Sequence, residues 1–391
     1  MQPLRQCRVI DASSYVTGPL AGVMLADLGA DVIKVEPPDG DPYRRIGTRR
    51  AGMAVGALNV NRGKRSVALD LKTDEGRRHF EDLLAEADVL VENWRPGVAD
   101  RLGLDDEMLA RRFPRLLHVA ITGYGPDGPM ADHGAFDNLM QARTGLARLR
   151  FSEGRPAPLP TYLADKVTSV MAVQAVLGAL LEREHTGLGG RLDVPMLDAM
   201  AYFNFTDVLE ARTVIDADDP ESGGSWLPAA ATVSTIVETT DGWIAVSPSS
   251  RAHVIAACEA AEHPEWIGEL AEYRRFVDLG PELMRRIETV TRTGPSQEWL
   301  ARFNAAGVPV APVLDADGHL DDPQVRHNGI YSELVHPVAG RVRYPRFPAR
   351  FRRSDGTLEP GPQSMRPMPA VGEHNDELLG QALAPGMPAE G

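Results

Sequence analysis

The chain has 391 residues, of which 43% are hydrophobic and 25% charged, and it carries a net charge of -14. This composition is typical of a folded globular protein and excludes disordered and fibrous chains. The acidic balance also argues against a nucleic-acid partner, because binding to a phosphate backbone needs a basic face. We therefore expect small-molecule ligands and no nucleic acid.

The compartment is indicated by the N-terminus, the cysteines and the apolar runs. The opening residues MQPLRQCRVIDAS lack the apolar core of a signal peptide, and Cys7 and Cys258 are too few for a disulfide framework. The longest apolar run, residues 167–181, is interrupted by polar side chains and is too short to cross a bilayer. These features predict a cytoplasmic protein with no membrane partner.

The first 125 residues alternate short apolar stretches with helical patterns. The apolar stretches are CRVIDA, ADVIKVE, SVALDL, DVLVEN and RLLHVAITGYG, and helices are expected up to Leu28, over 74–85 and over 105–112. This alternation predicts βαβ units and a Rossmann-like, doubly wound parallel sheet in an α/β domain. Ligands of such sheets bind at the carboxyl ends of the strands, where this chain has loops rich in glycine and proline.

One stretch in this half of the chain departs from the acidic average. Residues 41–65 contain seven lysines and arginines and one aspartate, so the local charge is seven minus one, or +6. Such a basic segment is either a solvated loop or a site for a polyanionic ligand. The segment by itself leaves both readings open.

The second half of the chain shows a change of composition at an acidic, Gly-rich segment, DADDPESGGSWLP. It is followed by TVSTIVETTDGWIAVSP, which is typical of a β-hairpin, and then by amphipathic helices. We predict a large domain over 1–215, a smaller α+β domain over 216–325, and a segment over 326–391 that returns to the large domain. Residues 221–228 are either a lid over the site or an interdomain linker.

Several common catalytic motifs are missing from the sequence. The loop TGPLAG does not form the GxGxxG of a nicotinamide-binding fold, and NRGKRS lacks the spacing of a nucleotide-triphosphate loop. There is no HExxH and no GxSxG, and neither cysteine has recognisable catalytic neighbours. We therefore expect no metal and no nicotinamide, and carboxylates remain as the candidates for covalent chemistry.

Asp165 is the carboxylate in the most informative position. It directly precedes the apolar helical run of LPTYLADKVTSVMAVQAVLGALLERE. An aspartate at a helix start is a favoured N-cap. It is also a possible nucleophile, because the helix dipole favours the ionised carboxylate. The local sequence supports both roles.

Phrases spread over nearly the whole chain resemble the class III CoA-transferase family, which includes formyl-CoA and carnitine CoA-transferases and the α-methylacyl-CoA racemases. These phrases are VIDASSYVTGPLAGVMLADLGADVIKVEPPDGDPYR, NRGKRSVALDLKTDEGR, VENWRPGVADRLGL and GEHNDELL. The resemblance implies coenzyme A, bound as an acyl-CoA substrate, a free carboxylic acid as second substrate, and no metal, nicotinamide or flavin. It also implies a homodimer of interlocked chains.

The resemblance implies roles for particular residues. It places Asp165 on the catalytic aspartate, which forms a mixed anhydride with the acyl group and then an aspartyl-CoA thioester. It gives Asp137 a supporting role beside the thioester. It assigns CoA binding to residues in the strand-end loops: Val16, Thr17, Leu69, Asp70, Leu71, Lys72, Asn93, Trp94, Arg95 and Arg101.

Two alternatives to CoA transfer stay open. The racemases carry GHD where this chain has AFD, so Phe136 stands in the place of a histidine base. This favours CoA transfer over racemisation, although His133 lies three residues upstream. The other alternative is an acyl-CoA-binding protein without catalysis, which would leave no adduct on Asp165.

Overall fold

The computed structural model describes residues 2–152, 154–215, 234–272, 276–359 and 366–380. It contains two compact units. The first consists of Met1–Asn204 and Gly329–Gly391, and the second of Phe205–Asn328. The candidate lid at residues 221–228 lies outside the described residues.

Six parallel strands form the main sheet of the first unit. They are β1 (Arg8–Asp11), β2 (Asp31–Glu36), β5 (Arg65–Ala68), β6 (Val89–Glu92), β7 (Leu117–Thr122) and β10 (Gly190–Pro195). Their spatial order is β10, β7, β6, β1, β2, β5, and every neighbouring pair is parallel. The chain thus builds one edge through β2 and β5 and then returns to build the other. The predicted parallel α/β sheet is confirmed, and its topological switch point lies between β1 and β6.

The burial of the strands explains which of them the sequence reveals. Strands β5, β6 and β7 are buried along their whole length, as expected when helices cover both faces of a parallel sheet. In the centre, Ile10 pairs with Ile33 on one side and Leu90 on the other, and all three are buried. Strand β10 lies at the edge and is mostly exposed, so it has no apolar run and was missed.

Helices and short strand pairs complete this part of the first unit. The helices are α1 (Thr17–Asp27), α2 (Val55–Asn61), α3 (Asp74–Ala85), α4 (Val98–Arg101), α5 (Asp106–Arg112), α6 (Asp137–Arg143), α7 (Leu163–Thr186) and α8 (Met196–Asn204). The short pairs are β3 (Arg49–Arg50) with β4 (Met53–Ala54), and β8 (Phe151–Ser152) with β9 (Arg155–Pro156). Helix α3 has the predicted bounds, because Thr73 accepts a hydrogen bond from Gly76 and starts it.

Helix α7 is longer than its apolar run. It has 24 residues, and among the described residues it is the one helix that length and composition would allow to cross a membrane. The argument that the run is too short for a bilayer is therefore wrong. Ala164, Thr168, Ala172 and Val176 form a buried stripe with a spacing of four residues, and the helix packs against α1, α8 and β7. A buried stripe of this kind is typical of a core helix.

The second unit has its own apolar core. Its antiparallel strands are β11 (Ile236–Glu238), β12 (Trp243–Val246) and β13 (Val310–Pro312), and its helices are α9 (Arg251–Ala260), α10 (Trp266–Glu269), α11 (Phe276–Thr291), α12 (Ser296–Ala305), α13 (Ala316–Asp321) and α14 (Pro323–Asn328). The predicted hairpin corresponds to β11 and β12. Ile244, Leu283, Ile287 and Phe303 are fully buried between sheet and helices.

The C-terminal part of the chain adds β14 (Tyr331–His336) paired with β15 (Gly340–Pro345), β16 (Phe351–Arg352) paired with β17 (Leu358–Glu359), and α15 (Asn375–Leu379). Residues 366–380 are tied to strand β5. The amide of Ala68 donates to Asn375 Oδ1 at 2.9 Å, and the amide of Ser66 donates to His374 Nδ1 at 3.2 Å. These bonds satisfy the backbone of an edge strand that would otherwise be free to pair elsewhere.

Candidate active site

The loops that follow β1 and β6 meet at the switch point of the sheet. The side chain of Asn93 binds both polar groups of one backbone unit: the amide of Ser14 donates to Asn93 Oδ1 at 2.8 Å, and Asn93 Nδ2 donates to the Ser14 carbonyl at 2.8 Å. Trp94 is held in turn, because its amide donates to Glu92 Oε2 at 2.5 Å. The two loops therefore form one connected rim.

This rim borders a cleft of about 870 Å³ in the first unit. Its lining includes five aromatic side chains, Tyr15, Tyr43, Trp94, Phe136 and Tyr162. The lining also includes Asp165, Asp137 and Thr17. A mostly apolar cleft with a few convergent polar groups is the usual form of a small-molecule site.

Asp165 does not cap the helix that it was predicted to begin. Helix α7 starts at Leu163 after Tyr162, so Asp165 is the third helical residue and the predicted capping role is wrong. Its carboxylate instead accepts a hydrogen bond from the hydroxyl of Thr17, the first residue of α1. The hydroxyl of Ser169, one turn further along α7, donates to the Thr17 carbonyl at 2.7 Å. Two helix starts are thus joined at the carboxylate.

The surroundings of Asp165 raise the pKa of its carboxyl above the ordinary value. Burial is the main cause, and the negative charge of Asp137 adds to it. The hydrogen bond from Thr17 opposes the shift and lowers the pKa in part. Burial therefore outweighs the hydrogen bond from Thr17, and the ionisation of this carboxylate at neutral pH stays a prediction.

Asp137 performs the capping that was predicted for Asp165. It is the first residue of α6, and its Oδ1 accepts the amide protons of Ala164 at 2.6 Å and of Asp165 at 3.2 Å. Its other oxygen accepts from Gln141 Nε2 at 2.6 Å. Asp137 therefore satisfies orphan N–H groups of the first turn of α7 from another helix and fixes the backbone of Asp165.

The residues that the resemblance assigned to CoA fall into two groups. Val16, Thr17, Asn93, Trp94 and Arg95 line the cleft. The others lie outside its lining, and they are Leu69, Asp70, Leu71, Lys72 and Arg101. Leu69 is a buried core residue, whereas Lys72 and Arg101 are exposed. For this second group a role in CoA binding stays a prediction.

The basic segment over 41–65 is largely neutralised. Five of its seven cations form ion pairs, namely Arg44 with Glu36, Arg45 with Asp39, Arg62 with Asp27, Lys64 with Asp11 and Arg65 with Asp31. Arg49 and Arg50 donate to the backbone carbonyls of Gly52 and Arg49. The segment therefore serves mainly to join loops to the sheet, which removes the basis for a polyanion site formed by all seven.

Two tyrosines of the cleft were missed from the sequence. Tyr43 is buried, and burial, together with Tyr162, Asp165 and Asp41, raises the pKa of its phenol to about 12. Tyr162, which contributes to this shift, lies three residues before Asp165. The nearness of Tyr162 to Asp165 in sequence is a usable signal. The position of Tyr43 has none, because it depends on how the loop after β2 folds back.

No group of three or more metal-ligating side chains occurs among the described residues. The fold and the cleft define the class of protein. It is an α/β protein whose cleft, at the switch point of a parallel sheet, is lined by the half-buried carboxylate of Asp165. The pattern of CoA-transferase family III matches residues 4–375. The chain belongs to this family.

Relatives of known name and structure agree with this assignment. Succinyl-CoA:glutarate CoA-transferase of Mus musculus is 29% identical over 392 residues, covering 98% of this chain and 87% of the relative. The beta subunit of succinyl-CoA–L-malate CoA-transferase of Chloroflexus aurantiacus is 33% identical over 393 residues, covering 97% and 94%. A crystal structure of Rv3272 from Mycobacterium tuberculosis matches with a TM-score of 0.79 at 29% identity, covering 97% of this chain and 99% of that one.

Proposed function

We propose that this protein is an acyl-CoA:carboxylate CoA-transferase with Asp165 as its nucleophile. The observation that carries the proposal is the placement of this carboxylate. It lines the cleft, its backbone is fixed by Asp137, and one of its oxygens is fixed by Thr17. The named relatives act on succinyl-CoA with glutarate or L-malate, which supports a carboxylic acid as acceptor.

The first step is attack by Asp165 on the acyl-CoA thioester. Because Thr17 holds Oδ1, we assign the attack to Oδ2. The new C–O bond forms a mixed anhydride, and the C–S bond breaks to release CoA as a thiolate. Burial favours this step, since a carboxylate that has lost part of its hydration is a stronger nucleophile than one in water.

In the second step the CoA thiolate attacks the Asp165 carbonyl carbon of the anhydride. The donor acid leaves as a carboxylate, and Asp165 carries CoA as a thioester. Negative charge develops on Oδ1 during this attack, and the Thr17 hydroxyl already points at that atom. An acceptor carboxylate then repeats the two steps in reverse, so one thioester replaces another and no ATP is needed.

Mass spectrometry of the protein and of its peptides tests this mechanism. The parent is incubated with a panel of acyl-CoA donors, and a hydroxylamine-sensitive adduct is expected on the peptide that contains Asp165. Asp165→Asn is the matched control, since it keeps the shape of the side chain. We expect it to lose at least about a thousandfold in exchange rate while still binding CoA. Equal exchange rates in parent and variant would contradict the mechanism.

Racemisation remains the second candidate, because His133 lines the same cleft as Asp165. Phe136 also lines the cleft, where the racemases have a histidine by resemblance. The two activities separate when exchange is run in deuterium oxide. CoA transfer predicts acyl exchange without deuterium at Cα. Racemisation predicts deuterium at Cα without acyl exchange. Acyl-CoA binding with neither outcome would indicate a non-catalytic binding protein.

We also propose that the protein is a cytoplasmic homodimer. Helices α7 and α8 pack against each other and expose Val170, Leu181, Tyr202 and Phe203, and Tyr202 is 76% exposed. Apolar side chains grouped on neighbouring helices are typical of a protein interface. Light scattering should give twice the chain mass of 42.4 kDa. A monomer at micromolar concentration would contradict this proposal.

A further inference from the structure

The loop between β1 and α1 contains a strained residue. Tyr15 has φ of 66°, a left-handed conformation that a non-glycine residue adopts only when its surroundings impose it. Tyr15 lines the cleft, and two residues later Thr17 binds Asp165. Whatever holds Tyr15 in this conformation therefore also sets the position of Thr17.

Beneath this loop lies a buried charge cluster, which consists of Asp11, Lys34, Asp41 and Lys64. All four are at most 1% exposed. Lys34 Nζ lies 3.1 Å from Asp41 Oδ2, and Lys64 Nζ donates to Asp11 Oδ2 at 2.7 Å. The second pair is tied into its surroundings by further bonds from Lys64 to backbone carbonyls at 2.8 Å. None of the four charges takes part in the chemistry proposed above.

The cluster binds the loop through its backbone. Lys34 donates to the Ser13 carbonyl, and the Ser13 amide donates to Asp11 Oδ1 at 3.1 Å. The Tyr15 amide donates to Asp41 Oδ1 at 3.2 Å. The residue between them, Ser14, is held by Asn93 from the neighbouring strand end. Each of these bonds orients a peptide group on the path from β1 to Thr17.

We infer that the buried ion pair of Lys34 and Asp41 is a positioning device for the nucleophile. It holds Tyr15 in the left-handed conformation and thereby keeps the Thr17 hydroxyl on Asp165. A buried ion pair adds little net stability, because desolvation offsets most of the attraction, and its bonds to the backbone of the loop support a conformational role. The kinetic consequence of this inference rests on the proposed function; the conformational one does not.

Hydrogen exchange tests the conformational part. We compare the parent with Asp41→Asn, which keeps an acceptor oxygen but removes the charge that pairs with Lys34. Exchange of the amides in residues 13–17 is expected to rise at least about tenfold. Asp27→Asn is the matched control, because it removes the charge from another buried pair, with Arg62, that has no hydrogen bond to the loop. Unchanged exchange in a folded Asp41→Asn protein would overturn the inference.

A second variant keeps the inference testable if Asp41→Asn does not fold. Lys34→Met combined with Asp41→Asn removes both charges, so no unpaired charge is left buried. It should fold and show the same rise in exchange over residues 13–17. If it folds with the loop exchanging as in the parent, the ion pair does not hold the loop and the inference is wrong.

A double-mutant cycle with Thr17→Val tests the kinetic part. We expect Asp41→Asn to lower kcat about tenfold with little change in KM. In the Thr17→Val background the same change should lower kcat by less than about twofold, because the hydroxyl that it positions is gone. Additive losses would show that Asp41 acts by another route. If the parent forms no adduct on Asp165, the proposed function fails, while the exchange measurement still decides the role of the ion pair.

Discussion

The two units of the molecule bury different kinds of side chain. Below the cleft, the first unit buries four charged groups: Asp11, Lys34, Asp41 and Lys64. The core of the second unit is apolar, and the buried polar side chains in its described residues are threonines. Apolar packing is sufficient to stabilise a fold, whereas buried charges cost desolvation energy. Buried charges thus occur in the unit that carries the cleft, and those of the cluster below it bind backbone groups of the loop between β1 and α1.

The apolar core gives the largest expected effect on stability. Phe303→Ala in the second unit should lower the free energy of unfolding by about 3–5 kcal/mol, because it removes a fully buried ring that packs on Trp299. The loss should be equal at about pH 6 and about pH 8, since no ionised group is involved. Denaturant unfolding measures it. Phe151→Ala, at an exposed ring, is the control and should change stability by less than about 0.5 kcal/mol.

The capping carboxylate of the site gives the next largest effect. Asp137→Ala leaves the amides of Ala164 and Asp165 without their acceptor, so we expect stability to fall by about 1 kcal/mol and kcat by about 10–100-fold. Asp105→Ala is the matched control, because Asp105 caps α5 through Met108 and is not part of the cleft lining. It should lose similar stability and keep its kcat. An equal loss of kcat in both variants would mean that Asp137 affects kcat only through the stability of the fold.

The hydrogen bond from Thr17 should be visible in the pH profile. It lowers the pKa of Asp165, so Thr17→Val should raise that pKa further. Since the ionised carboxylate is the nucleophile, the acid limb of kcat against pH should move to higher pH. Thr17→Ser restores the hydroxyl and should restore the parent profile. A profile that does not move in Thr17→Val would contradict the role given to this bond.

The smallest effect concerns the stability cost of the nucleophile. Burial raises the pKa of Asp165, so the folded state binds its proton more tightly than the unfolded chain does, and stability is lost as pH rises through the folded pKa. Asp165→Asn cannot ionise and escapes this loss. Its Tm relative to the parent should therefore be higher at neutral pH than at acidic pH, where the parent carboxyl is protonated. If the difference in Tm between Asp165→Asn and the parent did not depend on pH, this would contradict the raised pKa of Asp165.

The elements that the sequence predicted are those with a strong local pattern. Buried strands such as Leu117–Thr122 are continuous apolar runs, and Asp74–Ala85 begins at a capping threonine. The edge strand Gly190–Pro195 escaped prediction because only one of its six residues is buried, so it has no apolar run. The helix predicted to begin at Asp165 is confirmed as α7, which begins two residues earlier, at Leu163.

The candidate site was predicted in its parts and not in its arrangement. Asp165 and Asp137 were both named from the sequence, but the capping role predicted for Asp165 belongs to Asp137. The position of Tyr43 in the cleft and the left-handed conformation of Tyr15 gave no recognisable signal. Such features depend on which loops contact each other at the switch point, and no local sequence pattern predicts those contacts.

The sequence by itself determined the parallel α/β class, the resemblance to its family and the carboxylate that is the candidate nucleophile. Hydrophobic periodicity and the sequence motifs of a family are both properties of short stretches of the chain, so both can be recognised without coordinates. Only the tertiary structure decided that Asp137 caps α7, that Thr17 binds Asp165, and that Lys34 and Asp41 bind the backbone of Ser13 and Tyr15. These contacts join residues far apart in the chain, and their energies depend on burial, which exists only once the chain has folded.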